Sequence, residues 1–231
     1  MPVPKLCFFD MDKTLIAGNS GVSFMRYARK HRRTSRWKEL KALMDYLRYR
    51  FDVLDMSKAY RASLQLLIGV RVEELARFCE EWFEEEIRKL IYPEAHDFVR
   101  EHLARGDRVT IISNATTYAV EPLAHYLEIP HILATRLEVL DGAFTGNYIE
   151  PLCFRYGKIF WAEKLAAQLQ AVLEESTFYT DSITDLPLLE RVKNPRVINP
   201  DPKLRALAKR RGWPIQYFKM GDGKGRESRA K

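Results

Sequence analysis

Four absences narrow what this 231-residue chain can be. Cysteine is scarce: Cys7, Cys79 and Cys153 are odd in number, widely spaced and in no metal-ligand pattern. That excludes a disulfide framework and a zinc finger, and it favours reduced thiols in a cytosol. No apolar run approaches the ~20 residues that span a bilayer. The opening Met1-Pro2-Val3-Pro4 also lacks the basic-then-apolar layout of a secretory signal. A soluble, cytoplasmic protein without a transmembrane segment is expected. None of the five histidines stands in a metalloprotease spacing or beside a candidate nucleophile. Finally, there is no Gly-x-x-x-x-Gly-Lys-Ser/Thr phosphate loop, so nucleotide-driven chemistry of that kind has no support.

What is present points to a folded domain with an accessory unit. Hydrophobic residues make up 46% of the chain, enough for one full core and a smaller second one. The net charge of +7 is concentrated: residues 26–50 hold ten basic residues against Glu39 and Asp45, a local +8. Such a segment can attract an anionic substrate or surface, or can be a solvated helix face. Nucleic acid is not the expected partner. From Gly221 to Lys231 the chain is small, polar and charged, which predicts a disordered tail over 219–231.

Strand and helix signals alternate from Arg108 onward. Strands are expected at 108–113, 177–180, 196–199 and 215–218, and helices at 117–127, 158–173, 185–191 and 202–211. Asp141-Gly142 reads as a hairpin turn between extended segments at 132–140 and 144–149. This alternation predicts a doubly wound parallel α/β sheet. Residues 20–90 break it and read as helix throughout. Trp37, Leu40, Leu43, Met44 and Leu47 recur at helical spacing, as do Leu75, Phe78, Trp82, Phe83, Ile87 and Leu90. Asp55 would cap a further helix that Gly69 ends. A helical unit inserted after the first strand would sit above the strand ends as a lid, its aromatic residues forming a small core of their own.

Four islands carry chemistry. Asp10-Met11-Asp12-Lys13-Thr14 follows the apolar strand Leu6-Cys7-Phe8-Phe9. Ser113-Asn114 follows Val109-Thr110-Ile111-Ile112, and Asp181 with Asp185 follows Thr177-Phe178-Tyr179-Thr180. Ligands of open α/β sheets bind beyond the carboxyl ends of strands, so three strand ends deliver four carboxylates and a hydroxyl to one crevice. A carboxylate nucleophile splits phosphate ester hydrolysis into two steps through an acyl phosphate. A neighbouring carboxyl can protonate the leaving alkoxide and then take a proton from water. Asp10 and Asp12 can share that task with Met11 turned away. Ser113 and Asn114 before a helix would offer a hydroxyl and backbone amides to an anion, or simply a helix cap. Lys158 opposes a helix dipole at its helix start, so a phosphate dianion is its natural partner. Four acids beside a dianion need a cation, and Mg²⁺ suits carboxylates and substrate oxygens.

In order, Asp10-Met11-Asp12-Lys13-Thr14-Leu15, Ser113, Lys158 and Asp181-Ser182-Ile183-Thr184-Asp185 resemble the four motifs of the haloacid dehalogenase superfamily. The insertion between the first two resembles the C1 cap of subclass IB, the group of phosphoserine phosphatase. The resemblance implies a Rossmann-like core over 1–19 and 92–218, with an all-helical cap over 20–91. It implies Asp10 as nucleophile and Asp12 as general acid and base. Thr14, Ser113, Asn114 and Lys158 would bind the phosphoryl group, and Asp10, Asp12, Asp181 and Asp185 would serve a Mg²⁺ ion. Asp12 would lend its carbonyl, and Asp185 would act through a water or as an anchor.

The resemblance departs from the phosphoserine phosphatases at recognisable places. Their Glu nine residues after the nucleophile is Asn19 here, and the cap Arg has no counterpart beyond Arg61 nearby. Their Ser-Gly-Gly is Ser113-Asn114-Ala115, and the Asn before their last Asp is Thr184. The expected enzyme is a phosphomonoesterase acting on a small organic phosphate other than phosphoserine. Histidinol phosphate and a lysophospholipid phosphate drawn by the basic segment are candidate substrates. A phosphotransferase using the same intermediate and a non-enzymatic basic binding module are the alternatives.

Overall fold

The computed structural model describes residues 5–31, 60–61 and 64–221. The basic run from Arg32 to Arg50, the expected cap Asp55 and the tail from 222 onward lie outside the described residues.

A continuous apolar strand must be covered on both faces, and β1 (Leu6–Phe9) shows how. Cys7 and Phe9 point into one buried cluster, Leu6 and Phe8 into the other, as the two-residue period of a strand requires. β1 lies at the centre of a six-stranded sheet. The other strands are β2 (Arg108–Thr116), β3 (His131–Thr135), β6 (Thr177–Thr180), β7 (Asn194–Ile198) and β8 (Ile215–Gln216). The order is β3-β2-β1-β6-β7-β8, and every pairing is parallel. The chain builds outward from β1 in both directions, so the topological switch point lies beside it.

Helices cover the two faces. On one, α3 (Pro93–Ala104) and α4 (Thr117–Tyr126) bury Ala95, Val99, Val120, Leu123 and Ala124 against Phe9 and Ile111. On the other, α5 (Tyr156–Gln168), α6 (Leu186–Leu189) and α7 (Pro202–Arg211) contribute Trp161, Leu165, Leu188 and Leu204. Asp201 caps α7 by accepting the Leu204 N–H, and Gly212 ends it in the left-handed region. α5 stops five residues short of the expected Leu173, because Gln170 turns left-handed and the Ala171 N–H returns to the Ala166 carbonyl. Leu173 is buried from a separate 3₁₀ turn instead.

The expected hairpin is present as β4 (Leu137–Leu140) and β5 (Ala143–Tyr148), paired antiparallel outside the main sheet. Asp141 and Gly142 both have positive φ, the geometry that a two-residue hairpin turn of matching twist needs. Its apolar side, Leu137, Phe144 and Tyr148, packs with Leu64, Leu67, Leu75 and Cys79 from the insertion.

The described part of the insertion contains α1 (Ser20–Lys30) and α2 (Val72–Trp82). Its two ends pair with each other: Ile16 bridges Ile91, the Ala17 N–H meets the Leu90 carbonyl, and the Tyr92 N–H meets the Leu15 carbonyl. The expected helix through Leu90 instead widens after Trp82 into a π turn, Phe83–Ile87, and tightens into a 3₁₀ turn. Trp82 and Ile87 are five residues apart and both fully buried, a spacing that one π turn brings onto a single face. Tyr27, Phe78, Trp82 and Phe83 do not form a core of their own. They belong to the same buried cluster as Phe9, Met11 and Ile111, because α2 packs directly onto α4.

Candidate active site

The site gathers at the switch point. β1 ends where the Asp10 N–H donates to the Tyr179 carbonyl of β6, at 2.9 Å. The chain then turns tightly, with Leu15 and Ile16 returning their N–H groups to the Met11 carbonyl and Lys13 at φ 54°. Met11 is buried in the core as the two-residue spacing predicts, which leaves Asp10 and Asp12 free of it. Thr14 is fully buried in the same turn, and its hydroxyl has no hydrogen-bond partner among the described residues.

Lys158 organises the acids. It stands in the first turn of α5, buried, and its Nζ donates to Asp10 Oδ1 at 2.7 Å and to Asp185 at 2.8 Å. Thr180 adds a donor to Asp185 Oδ2, also at 2.7 Å. The approach of α5 depends on Gly157, since a Cβ there would lie 1.9 Å from the Leu152 carbonyl oxygen. Trp161, one turn further along, donates to the Pro151 carbonyl at 2.7 Å and fixes the same loop.

Burial alone would drive the Lys158 ammonium toward neutrality, yet Asp10 and Asp185 outweigh it and hold the group above its ordinary value. One ammonium does not balance the surrounding acids. Burial holds the Asp10 carboxyl well above the usual range against the pull of Lys158, and the charges of Asp185 and Asp181 add to the rise. Burial likewise pushes Asp181 up to about 7, although Lys13 opposes it from 3.8 Å. Asp12 is raised for the same reason, with the Ser20 N–H opposing at 2.8 Å.

The buried acids Asp10, Asp181 and Asp185 outnumber the one buried ammonium of Lys158, and the donors of the site are carboxylate and carbonyl oxygens. An oxygen-seeking divalent cation fits that chemistry. Among the described residues no three acidic, His or Cys side chains are grouped closely enough to cage an ion. Asp10 and Asp181 are the carboxylates available. Asp185 accepts from Lys158 and Thr180, which ties it to the lysine.

Ser113 and Asn114 are placed differently from the expected helix start. β2 runs on to Thr116 across a register shift, and Thr116 itself caps α4 by accepting the Ala119 N–H. Ser113 is buried and its hydroxyl accepts the Ala115 N–H at 3.2 Å. The Asn114 carbonyl accepts from Thr135 and from the Tyr60 hydroxyl of the insertion. Asn19, nine residues after Asp10, is the N-cap of α1 and accepts the Val22 N–H. Asn199 was not legible beforehand. Its side chain donates to the Lys13 carbonyl and accepts the Phe218 N–H, pinning the turn after β1 from the far side of β7.

Parallel sheet, switch-point aspartates and a buried lysine define a class. The sequence profile of the haloacid dehalogenase-like hydrolases matches residues 7–190, and the chain belongs to that family. A histidinol-phosphatase of Neisseria meningitidis is 34% identical over 93% of this chain and 99% of the relative. A phosphoserine phosphatase of Mycobacterium tuberculosis is 32% identical over 92% of this chain and 70% of the relative. A crystal structure of a Bordetella pertussis protein of unknown function superposes with a TM-score of 0.84 at 33% identity, covering 92% and 98% of the two chains. A substrate-bound phosphoserine phosphatase shares the fold, with a TM-score of 0.65 at 21% identity over 89% and 91% of the chains. Within the family, this chain is an enzyme of the phosphatase type.

Proposed function

We propose that the chain is a Mg²⁺-dependent phosphomonoester hydrolase that works through an aspartyl phosphate at Asp10. The observation that carries this reading is the buried Asp10 carboxylate, ion-paired at 2.7 Å to Lys158, with the Asp12 carboxyl two residues on. Lys158 holds Oδ1, which leaves Oδ2 of Asp10 to attack phosphorus. The ester oxygen departs with the proton of Asp12, whose burial-raised pKa suits a general acid. Asp12 then takes a proton from the water that attacks the acyl phosphate, releasing phosphate and regenerating Asp10. Lys158, Ser113 and the unpartnered Thr14 hydroxyl would receive the phosphoryl oxygens, with Asn114 fixing the adjoining backbone. Asp10, Asp181 and the Asp12 carbonyl would hold Mg²⁺, whose bound charge supplies electrostatic stabilisation of the phosphoryl group.

The stem at Ile16 and Ile91 roots the insertion beside the Asp10–Asp12 turn, which supports the assignment of residues 20–91 as a cap over the core of 1–19 and 92–218. The name of the Neisseria relative favours an amino-alcohol phosphate as substrate. Three free, buried cysteines and the lack, among the described residues, of any helix long and apolar enough to cross a membrane fit a cytoplasmic enzyme.

The decisive experiment measures phosphate release with Mg²⁺ from histidinol phosphate and p-nitrophenyl phosphate. Asp10→Asn should reduce kcat by ~10³-fold or more, in keeping with loss of a nucleophile. An Asp10→Asn protein with unchanged turnover would rule the reading out. Added alcohol acceptors separate hydrolysis from phosphotransfer, since only the latter yields a new ester.

A further inference from the structure

β7 is followed by Asn199-Pro200-Asp201, a segment that the proposed chemistry leaves without a task. Both of its polar side chains divide their contacts between the local fold and the site. Asn199 accepts the Phe218 N–H at 3.0 Å, which holds the chain beyond β8. Its amide nitrogen donates to the Lys13 carbonyl at 3.3 Å, in the turn that carries Asp10 and Asp12. Asp201 accepts the Leu204 N–H at 2.8 Å through Oδ1, the ordinary bond of a helix cap. Its Oδ2 accepts the Ile183 N–H at 2.7 Å, and its backbone N–H donates to the Asp181 carbonyl at 2.8 Å.

A helix cap needs only one of those oxygens. The other contacts fall on two loops that leave different strands. Asn199 has φ 43°, a left-handed conformation that asparagine adopts more readily than most residues. Strain of this kind persists where the surrounding contacts require it.

The two loops need such a link. β1 and β6 are parallel neighbours as far as the bond from the Asp10 N–H to the Tyr179 carbonyl. Past it, no backbone hydrogen bond among the described residues joins 11–14 to 181–185. The Lys13 ammonium is 3.8 Å from Asp181, but its side chain is 55% exposed and such pairs fix little. The proposed cation takes ligands from both loops, and Mg²⁺ demands near-ideal octahedral geometry.

We propose, building on the phosphatase reading, that Asn199 and Asp201 are positioning residues for the cation site. They clamp the turn of Asp10 and Asp12 and the loop of Asp181 at the separation that a divalent cation requires. Neither side chain touches the cation or the substrate. Removing one contact leaves every ligand present but loosely spaced, so the loss falls on Mg²⁺ affinity.

Asp201 allows the clamp to be separated from the cap. Serine caps a helix about as well as aspartate, but its single oxygen cannot also hold Ile183. Mg²⁺ is titrated by calorimetry into the full chain without substrate, and stability is read from urea midpoints. Asp201→Ser should keep a midpoint near that of the wild type and weaken Mg²⁺ binding about tenfold, the scale on which partners of metal ligands act. Asp201→Ala should weaken binding equally while also lowering the midpoint. Asn199→Gly, which keeps the left-handed backbone, should weaken it by a similar factor. With p-nitrophenyl phosphate, the Mg²⁺ concentration for half-maximal turnover should rise in step with each affinity loss. An unchanged Mg²⁺ affinity in Asp201→Ser, or one that falls only with the midpoint, would make the segment merely structural and overturn the clamp. A wild type that binds Mg²⁺ and releases no phosphate would overturn the phosphatase reading, while the affinities still decide the clamp. A wild type that binds no Mg²⁺ would remove both.

Discussion

A lysine buried in the first turn of a helix loses its hydration and opposes the helix macrodipole. Lys158 is held there by two carboxylates, and Asp185 is in turn held by the Thr180 hydroxyl. Thr180→Val keeps the shape and removes one hydrogen bond to a charged group, a loss of about 1.5–3 kcal/mol. Urea denaturation should show that loss, and KM should rise as Lys158 loses its fixed anchor. Asp10, Asp12 and Lys158 could be picked out from sequence because each violates a local preference: acids directly after an apolar strand, and a cation at a helix start. The resemblance offered Asp185 as an anchor or a water-mediated ligand, but its pairing with Lys158, 27 residues away, is not marked in the sequence. Asn199 was equally hidden, because nothing in its neighbourhood marks an Asn as unusual.

At the scale of elements, spacing located most of the structure and capping chemistry decided the rest. β6 and α7 fall where the apolar pattern and the cap residues put them. α4 starts at Thr117, where its spacing puts it, but its cap is Thr116 and not Ser113, because β2 extends across its bulge to Thr116. The π turn at Phe83–Ile87 escapes a search for 3.6-residue periodicity, which assumes the ladder of i→i−4 bonds is unbroken. Element placement also yields a sharp test at α5. Gly157→Ala puts a methyl against the Leu152 carbonyl, and overpacking of this kind costs about 1–3 kcal/mol. Because Lys158 is the next residue, chemical denaturation and kcat should both suffer, whereas Gly69→Ala, with nothing within 4 Å, meets only backbone strain.

For the whole molecule, the shared core has a thermodynamic meaning. Trp82 lies in the insertion, yet it is buried in the cluster that also holds Phe9 and Ile111. Its Nε1 donates to the Ser23 hydroxyl. Trp82→Ala should therefore lower a single cooperative transition by about 3–5 kcal/mol, rather than melting the insertion separately. Calorimetry distinguishes the two outcomes. Mg²⁺ should raise the wild-type Tm, as any ligand of the native state does, and should do so much less in Asp181→Asn.

His131 contributes to stability toward acid from outside the site. Burial, aided by the Arg108 charge, holds the His131 pKa below its ordinary value. The folded state then disfavours the proton that the unfolded chain accepts. Stability is full above the unfolded pKa of ~6.5 and is lost as pH falls toward the depressed folded value. His131→Gln should flatten that acid limb in a series of denaturation midpoints.

The bond from Trp161 to Pro151 places an indole where the loop of Glu150 meets the helix of Lys158. Trp161 is buried, with the Arg136 guanidinium 4.4 Å from its ring, so its excited state is sensitive to any change in field or hydration there. The enzyme thus carries an intrinsic fluorophore about one turn along the helix from the lysine of its site. With the other three tryptophans replaced, emission from this one would follow, in real time and without a label, each ligand that disturbs the loop.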